Sequence, residues 1–164
     1  MKKKILTLAI ACGMAAGPLY AEDEAMIIQV NRLSMETAMK VAKGAVDACR
    51  KEGIQIGATV VDRDGIVQAQ LRDTIAARIT LSISKNKAFT AVQFNAATSA
   101  MADRAGTPIG QQPGLVMSAG GIPIQVGGSL MGGVGVSGAP SGETDEKCAQ
   151  AGIDEVMTDL EMAM

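Results

Sequence analysis

The chain has 164 residues, enough for one domain or at most two, with 48% hydrophobic and 20% charged side chains and a formal charge of −2. It holds one Tyr, two Phe, no Trp and no His. The missing imidazole excludes Ser-His-Asp and Cys-His catalytic units and His-built zinc sites. Scarce aromatics and negative charge argue against nucleic acid as a partner.

Lys2, Lys3 and Lys4 precede an uncharged, mostly apolar run from Ile5 to Gly17, and Leu19-Tyr20-Ala21 offers a cleavage site before Glu22. Residues 1–21 therefore have the layout of a secretory signal peptide. The run is shorter than the ~20 residues that span a bilayer. Ala9-Ile10-Ala11 before Cys12 is a poor lipidation motif. The expected destination is the periplasm or the exterior, with no membrane insertion once the signal is cut. Cleavage removes three of the 15 basic residues and none of the 17 acidic ones, leaving a formal charge of −5. It also removes the only Tyr, and leaves Cys49 and Cys148 as the cysteines.

Residues 22–33 read as a short lead-in, and 34–164 as a single domain. Ser34 is an N-cap, Glu36 meets the helix dipole, and Met35 to Glu52 is helical. Ala38, Ala42, Ala45 and Cys49 mark the apolar stripe, widened by Met39, Val41, Val46 and Ala48. Gly53 closes it. Ile54 to Val61 and Ile66 to Leu71 are β-rich runs around Asp62-Arg63-Asp64-Gly65, a hairpin. A helix follows from about Leu81 to Asn95, with Ile83, Ala88, Val92 and Phe94 among its apolar positions and Lys85 and Lys87 placed outward, then a shorter one near Ser99 to Arg104. Twelve of the 19 glycines fall between Gly106 and Gly142, interleaved with Val, Ile and Leu. Ile122 to Val126 and Leu130 to Val136 read as a second hairpin across Gly127-Gly128-Ser129, with glycine allowing close backbone approach. Gly142 to about Met162 is the last helix, with Ala149, Ile153, Val156 and Leu160 as its buried stripe. Two hairpins and helices at both ends make an α+β sandwich on an antiparallel sheet.

Gly133-Val134-Gly135-Val136-Ser137-Gly138 matches G-x-G-x-x-G, but it lies in or at the end of a strand and no second parallel strand follows, so the dinucleotide reading fails. Cys49 and Cys148 are either a disulfide, which an oxidising compartment permits, or two buried thiols. The carboxylates at Asp62/Asp64 read as turn chemistry. Those at Glu143/Asp145/Glu146 read as dipole compensation, and those from Asp154 to Glu161 as a solvated face. The scattered Met residues read as core filling.

Five segments in order carry a resemblance. They are Val60-Val61-Asp62-Arg63-Asp64-Gly65, Lys87-Ala88-Phe89-Thr90-Ala91, Gly120-Gly121-Ile122-Pro123-Ile124, the Gly133 to Ala139 run, and Asp145-Glu146-Lys147-Cys148-Ala149-Gln150-Ala151-Gly152. Over about Leu33 to Val156 the chain resembles the GlcG/HbpS family, haem-binding and "haem-degrading" domains also found at the C-terminal end of PduO-type proteins. The resemblance implies a profilin-like fold, an antiparallel sheet with helices on both faces. It implies homo-oligomers, and a haem or related tetrapyrrole as cofactor. No His or Tyr is left to ligate iron, which leaves Met or Cys sulfur, a Lys amine or a hydroxyl oxygen. The Lys87 to Thr90 and Thr98-Ser99 segments match the family's hydroxyl-bearing helix region, so the resemblance points to Thr90 or Thr98 near the metal. Phe89 or Phe94 would lie against the porphyrin, and Lys87, Arg104, Arg72 or Arg78 would meet propionates, since cationic groups suit carboxylates.

The expected function is thus an exported, non-catalytic tetrapyrrole-binding protein for haem sensing or handling. One alternative is an oligomeric interaction partner of an envelope sensor protein, with a degenerate ligand site. Another is an enzyme on haem or a small acid that borrows its chemistry from a cofactor.

Overall fold

The computed structural model describes residues 26–164; the expected signal peptide and its cleavage site lie outside them. Ser34 caps the first helix by accepting from the Thr37 N–H at 3.1 Å, and α1 runs over Met35–Lys51. Its stripe packs inward through Ala38, Val41, Ala42, Ala45 and Cys49. Met39, placed on that stripe by its spacing, is exposed and points away from the core. Two hairpins follow the expected order: β1 (Gly57–Asp62) with β2 (Val67–Arg72), and β3 (Gly121–Val126) with β4 (Ser129–Ser137). Between them run α2 (Ile79–Phe94) and a 3₁₀ segment, Thr98–Arg104, where a short helix was expected. The last helix, α3 (Gly142–Met162), is capped by Ser141, which accepts from the Thr144 N–H.

The four strands form one antiparallel sheet in the order β2-β1-β4-β3, so the two hairpins join through the β1–β4 pair. Helices cover both faces, as the α+β reading requires. On one face, α1 and α3 pack over Ala58, Val60, Ile124, Val134 and Val136 in the main apolar core. The two helices are also bound covalently by the Cys49–Cys148 disulfide.

The other face is different in kind. There α2 lies so close that a Cβ at Gly133 would sit 2.6 Å from Val92 Cγ2, and one at Gly135 would meet the Ser84 carbonyl oxygen. Gly133 and Gly135 of the G-x-G-x-x-G run therefore serve helix–sheet contact. The apolar cluster under α2 is small, Val61, Ala88 and Val92. A polar chain accompanies it: the Thr59 and Ser84 hydroxyls are 2.7 Å apart, and Gln70 Nε2 donates to Thr59 Oγ1 and to the Leu81 carbonyl.

The turn carboxylates behave as turn chemistry. Asp62 Oδ1 accepts from the Asp64 and Ile66 N–H groups, both at 2.9 Å, and Arg32 pairs with Asp62 and Asp64. At the far end of β2, Arg50 from α1 grips Asp73 through two hydrogen bonds of 2.6 and 2.7 Å. That grip holds the Asp73 carboxyl down at about 2, against about 3.9 in an unfolded chain. The clamp therefore stabilises the fold fully above about pH 4, and that stability is lost as the pH falls towards 2. Urea unfolding over this range should show the loss, and Asp73→Asn should flatten that part of the profile. An unchanged slope in the variant would refute the assignment.

Candidate functional site

Both sides of α2 mix polar with apolar residues. Its sheet side carries Thr80, Ser84, Lys87, Ala88, Thr90, Ala91 and Val92, all buried. Its outer side carries apolar residues, with Ile79 63% exposed and Phe89 half-buried. Ile66, Val67 and Ile75 are exposed nearby in the chain, on the first hairpin and the segment leading into α2. Apolar residues gathered at the surface beside one groove, as Ile66, Val67 and Phe89 are, mark an interaction or ligand site.

Beside Phe89 lies an open groove of about 350 Å³, lined by Ile66, Val67, Lys85, Asn86, Phe89 and Pro113. Gly65 shapes its rim. Its φ of +87° turns the hairpin, and a Cβ there would stand 2.6 Å from Phe89 Cδ2, so the turn backbone packs straight onto the ring. A second groove, of about 640 Å³, is bordered by Arg78, Ile79, Ser82 and again Lys85. Arg78, Ser82, Lys85 and Phe89 recur at i, i+4, i+7 and i+11, which sets them along one helix stripe. Among the described residues neither Lys85 nor Arg78 has an ion-pair partner. The face thus offers an aromatic ring, branched aliphatics and two free cations. That combination suits a flat apolar ligand carrying carboxylates.

Most of the residues singled out in the sequence lie elsewhere. Lys87 is not outward: it is 3% exposed. Its Nζ donates to Asp145 Oδ2 at 2.9 Å and to the Val136 carbonyl at 3.1 Å. It is therefore consumed inside the fold and has no ammonium to offer a propionate. Asp145, read as dipole compensation, is the buried partner, and its Oδ1 also accepts from the Ala139 N–H. Burial pushes the Asp145 carboxyl up, while the Lys87 and Ala139 hydrogen bonds pull it down.

Thr90 and Thr98 are both fully buried. Thr90 Oγ1 donates to the Asn86 carbonyl and accepts from the Val116 N–H, pinning the loop after the 3₁₀ segment onto α2. Thr98 Oγ1 accepts from the Gly121 N–H at 2.9 Å, tying the 3₁₀ segment to β3. These hydroxyls hold loops and line neither groove. Phe94, the last residue of α2, is half-buried and does not line the Phe89 groove. Arg72 is spent on the Thr74 and Ala76 carbonyls. Arg104 is exposed at the end of the 3₁₀ segment and lines neither groove.

Of the expected residues, Phe89 and Arg78 thus remain on one face, and the structure adds Lys85, Ile66, Val67 and Pro113. Lys85 was legible as an outward lysine one turn before Phe89. Ile66, Val67 and Pro113 carried no sequence signal for a site.

The donor set decides what the groove can hold. Its lining offers a ring face and the Lys85 ammonium to a porphyrin and its propionates, with Arg78 bordering the neighbouring groove. It offers iron neither sulfur, imidazole nor phenol. Among the described residues no group of three or more His, Cys, Asp or Glu could hold a metal ion.

A family model described as "Haem degrading protein HbpS-like" matches residues 33–154. The fold is similar to the crystal structure of a double mutant of HbpS from Streptomyces reticuli, with a TM-score of 0.75 and 39% identity over 85% of this chain and 97% of that one. It is also similar to the crystal structure of a PduOC:heme complex, with a TM-score of 0.70 and 27% identity over 76% of this chain and 94% of that one. An uncharacterized 15.0 kDa protein from Citrobacter freundii is 27% identical over 133 residues, 77% of this chain and 93% of the relative.

Proposed function

This chain belongs to the HbpS-like haem-degrading family, and on that premise we propose that it is an exported, non-catalytic tetrapyrrole-binding protein whose ligand lies on the outer face of α2. The observation that carries the reading is the Phe89 groove with Lys85 at its edge, on a fold shared with a relative described in complex with heme. The ring would stack near Phe89 and the aliphatic side chains of Ile66 and Val67, while Lys85 and Arg78 would meet the propionates. When bound, haem would supply iron redox chemistry; the groove's own side chains supply packing and charge.

Export is supported by the signal-peptide layout of residues 1–21 and by the disulfide, which an oxidising compartment lets persist. Self-association is supported by Met26, Ile27 and Ile28, each at least 80% exposed.

Hemin titration followed in the Soret band, with the complex mass read by light scattering, tests both parts. Saturable binding is expected, weakened about tenfold by Lys85→Glu, with a mass above that of one chain. No saturable Soret change would end the binding reading, and a single-chain mass would end the self-association reading.

A further inference from the structure

Resting on the tetrapyrrole reading, we propose that this site recognises the macrocycle and its carboxylates without a bond to iron, so that iron-free porphyrin dicarboxylates are ligands on a par with haem. The argument is one of donor chemistry. Only Lys85 and Asn86 bring side-chain heteroatoms to the Phe89 groove. A lysine ammonium has three N–H donors and no lone pair, and an amide oxygen is a poor ligand for haem iron.

Among the described residues, every better donor is absent, committed or away from the grooves. The chain has no His, and its one Tyr, Tyr20, precedes the domain. Cys49 and Cys148 are joined to each other. The Thr90 and Thr98 hydroxyls are fully buried and hydrogen-bonded to backbone. No methionine lines either groove.

What the face does provide is independent of the metal. Phe89 offers a ring to stack on. Lys85 and Arg78 are two turns apart on one stripe, about 10 Å along the axis by the helical rise of about 1.5 Å per residue. Each is long enough to lean towards the other, and together they match a ligand with two carboxylates on one edge. A ring held by stacking and two charge-assisted hydrogen bonds keeps both when iron is removed.

The test compares hemin, protoporphyrin IX and zinc protoporphyrin IX on the same protein, by absorbance for hemin and by fluorescence for the other two. The inference predicts saturable binding of all three with dissociation constants within tenfold of one another. It also predicts that Lys85→Glu weakens all three to a similar extent, about tenfold, with its melting temperature confirming an intact fold. If hemin binds and protoporphyrin IX binds more than tenfold more weakly, iron is ligated and the inference falls while the tetrapyrrole reading stands. If Lys85→Glu weakens none of them, the carboxylate contact is refuted. If no ligand saturates, the tetrapyrrole reading itself fails, and this inference with it.

Discussion

Lys87→Ala is expected to lower the unfolding free energy by about 3–5 kcal/mol, the usual effect of removing one partner of a buried ion pair. Both side chains of the pair are almost fully inside, 4% and 6% exposed. The variant strands the Asp145 carboxylate among Lys87's former neighbours and leaves the Val136 carbonyl without its side-chain donor. Removing both charges should cost far less than removing one. Lys87→Met with Asp145→Asn keeps an oxygen for the Ala139 N–H and should recover more than half of the loss. Urea denaturation of the three proteins reads this directly; a loss below about 1 kcal/mol in Lys87→Ala would refute the pair's structural role. The pair also matters for the groove. It ties α2 to α3 and β4 two residues from Lys85 and Phe89, so its loss should loosen the face that carries the ligand.

The second large effect is expected from the disulfide. Cys49 and Cys148 are 99 residues apart in sequence, and both are buried. Closing a loop of that size restricts the unfolded chain, with an expected gain of about 3–5 kcal/mol. Cys49→Ala with Cys148→Ala should show this loss in urea, and dithiothreitol should bring the parent protein to the same midpoint. Equal stability with and without reductant would refute it. Loss of the bridge should fall on α1 and α3, leaving the α2 face folded, because the two faces have separate cores.

The α1/α3 face was legible because ordinary amphipathic periodicity built it. Ala38, Ala42, Ala45 and Cys49 on one side, and Ala149, Ile153 and Val156 on the other, fall inside as their spacing predicts. The α2 face was not legible in the same way. Its buried side sets Thr, Ser and Lys among Ala and Val92 against strand glycines, and its outer side sets Ile and Phe among Ser82, Lys85 and Gln93. A hydrophobicity pattern sets Ala88 and Val92 inside and Lys85 outside, as found, but it has no place for a buried cation, which is why Lys87 was read as outward. Its position three residues after Ser84 and one before Ala88 sets it on the buried stripe, but only a buried acid makes that stripe habitable for an ammonium. That acid, Asp145, lies 58 residues on and looked like an ordinary first-turn carboxylate. Thr90 and Thr98 were singled out by motif, and nothing local reveals that their hydroxyls are spent on Val116 and Gly121, 26 and 23 residues away. The groove itself joins a turn, a helix and a distant loop, a grouping that exists only in three dimensions.

The central claim is that a tetrapyrrole rests on the outer face of α2. Hydrogen exchange with and without zinc protoporphyrin IX locates the ligand most directly. The account predicts that protection rises in the segments carrying Ile66 and Val67, Lys85 to Phe89, and Pro113 to Leu115, with little change along α1 and α3. Protection confined to α1 and α3, or to the 3₁₀ segment from Thr98 to Arg104, would contradict it.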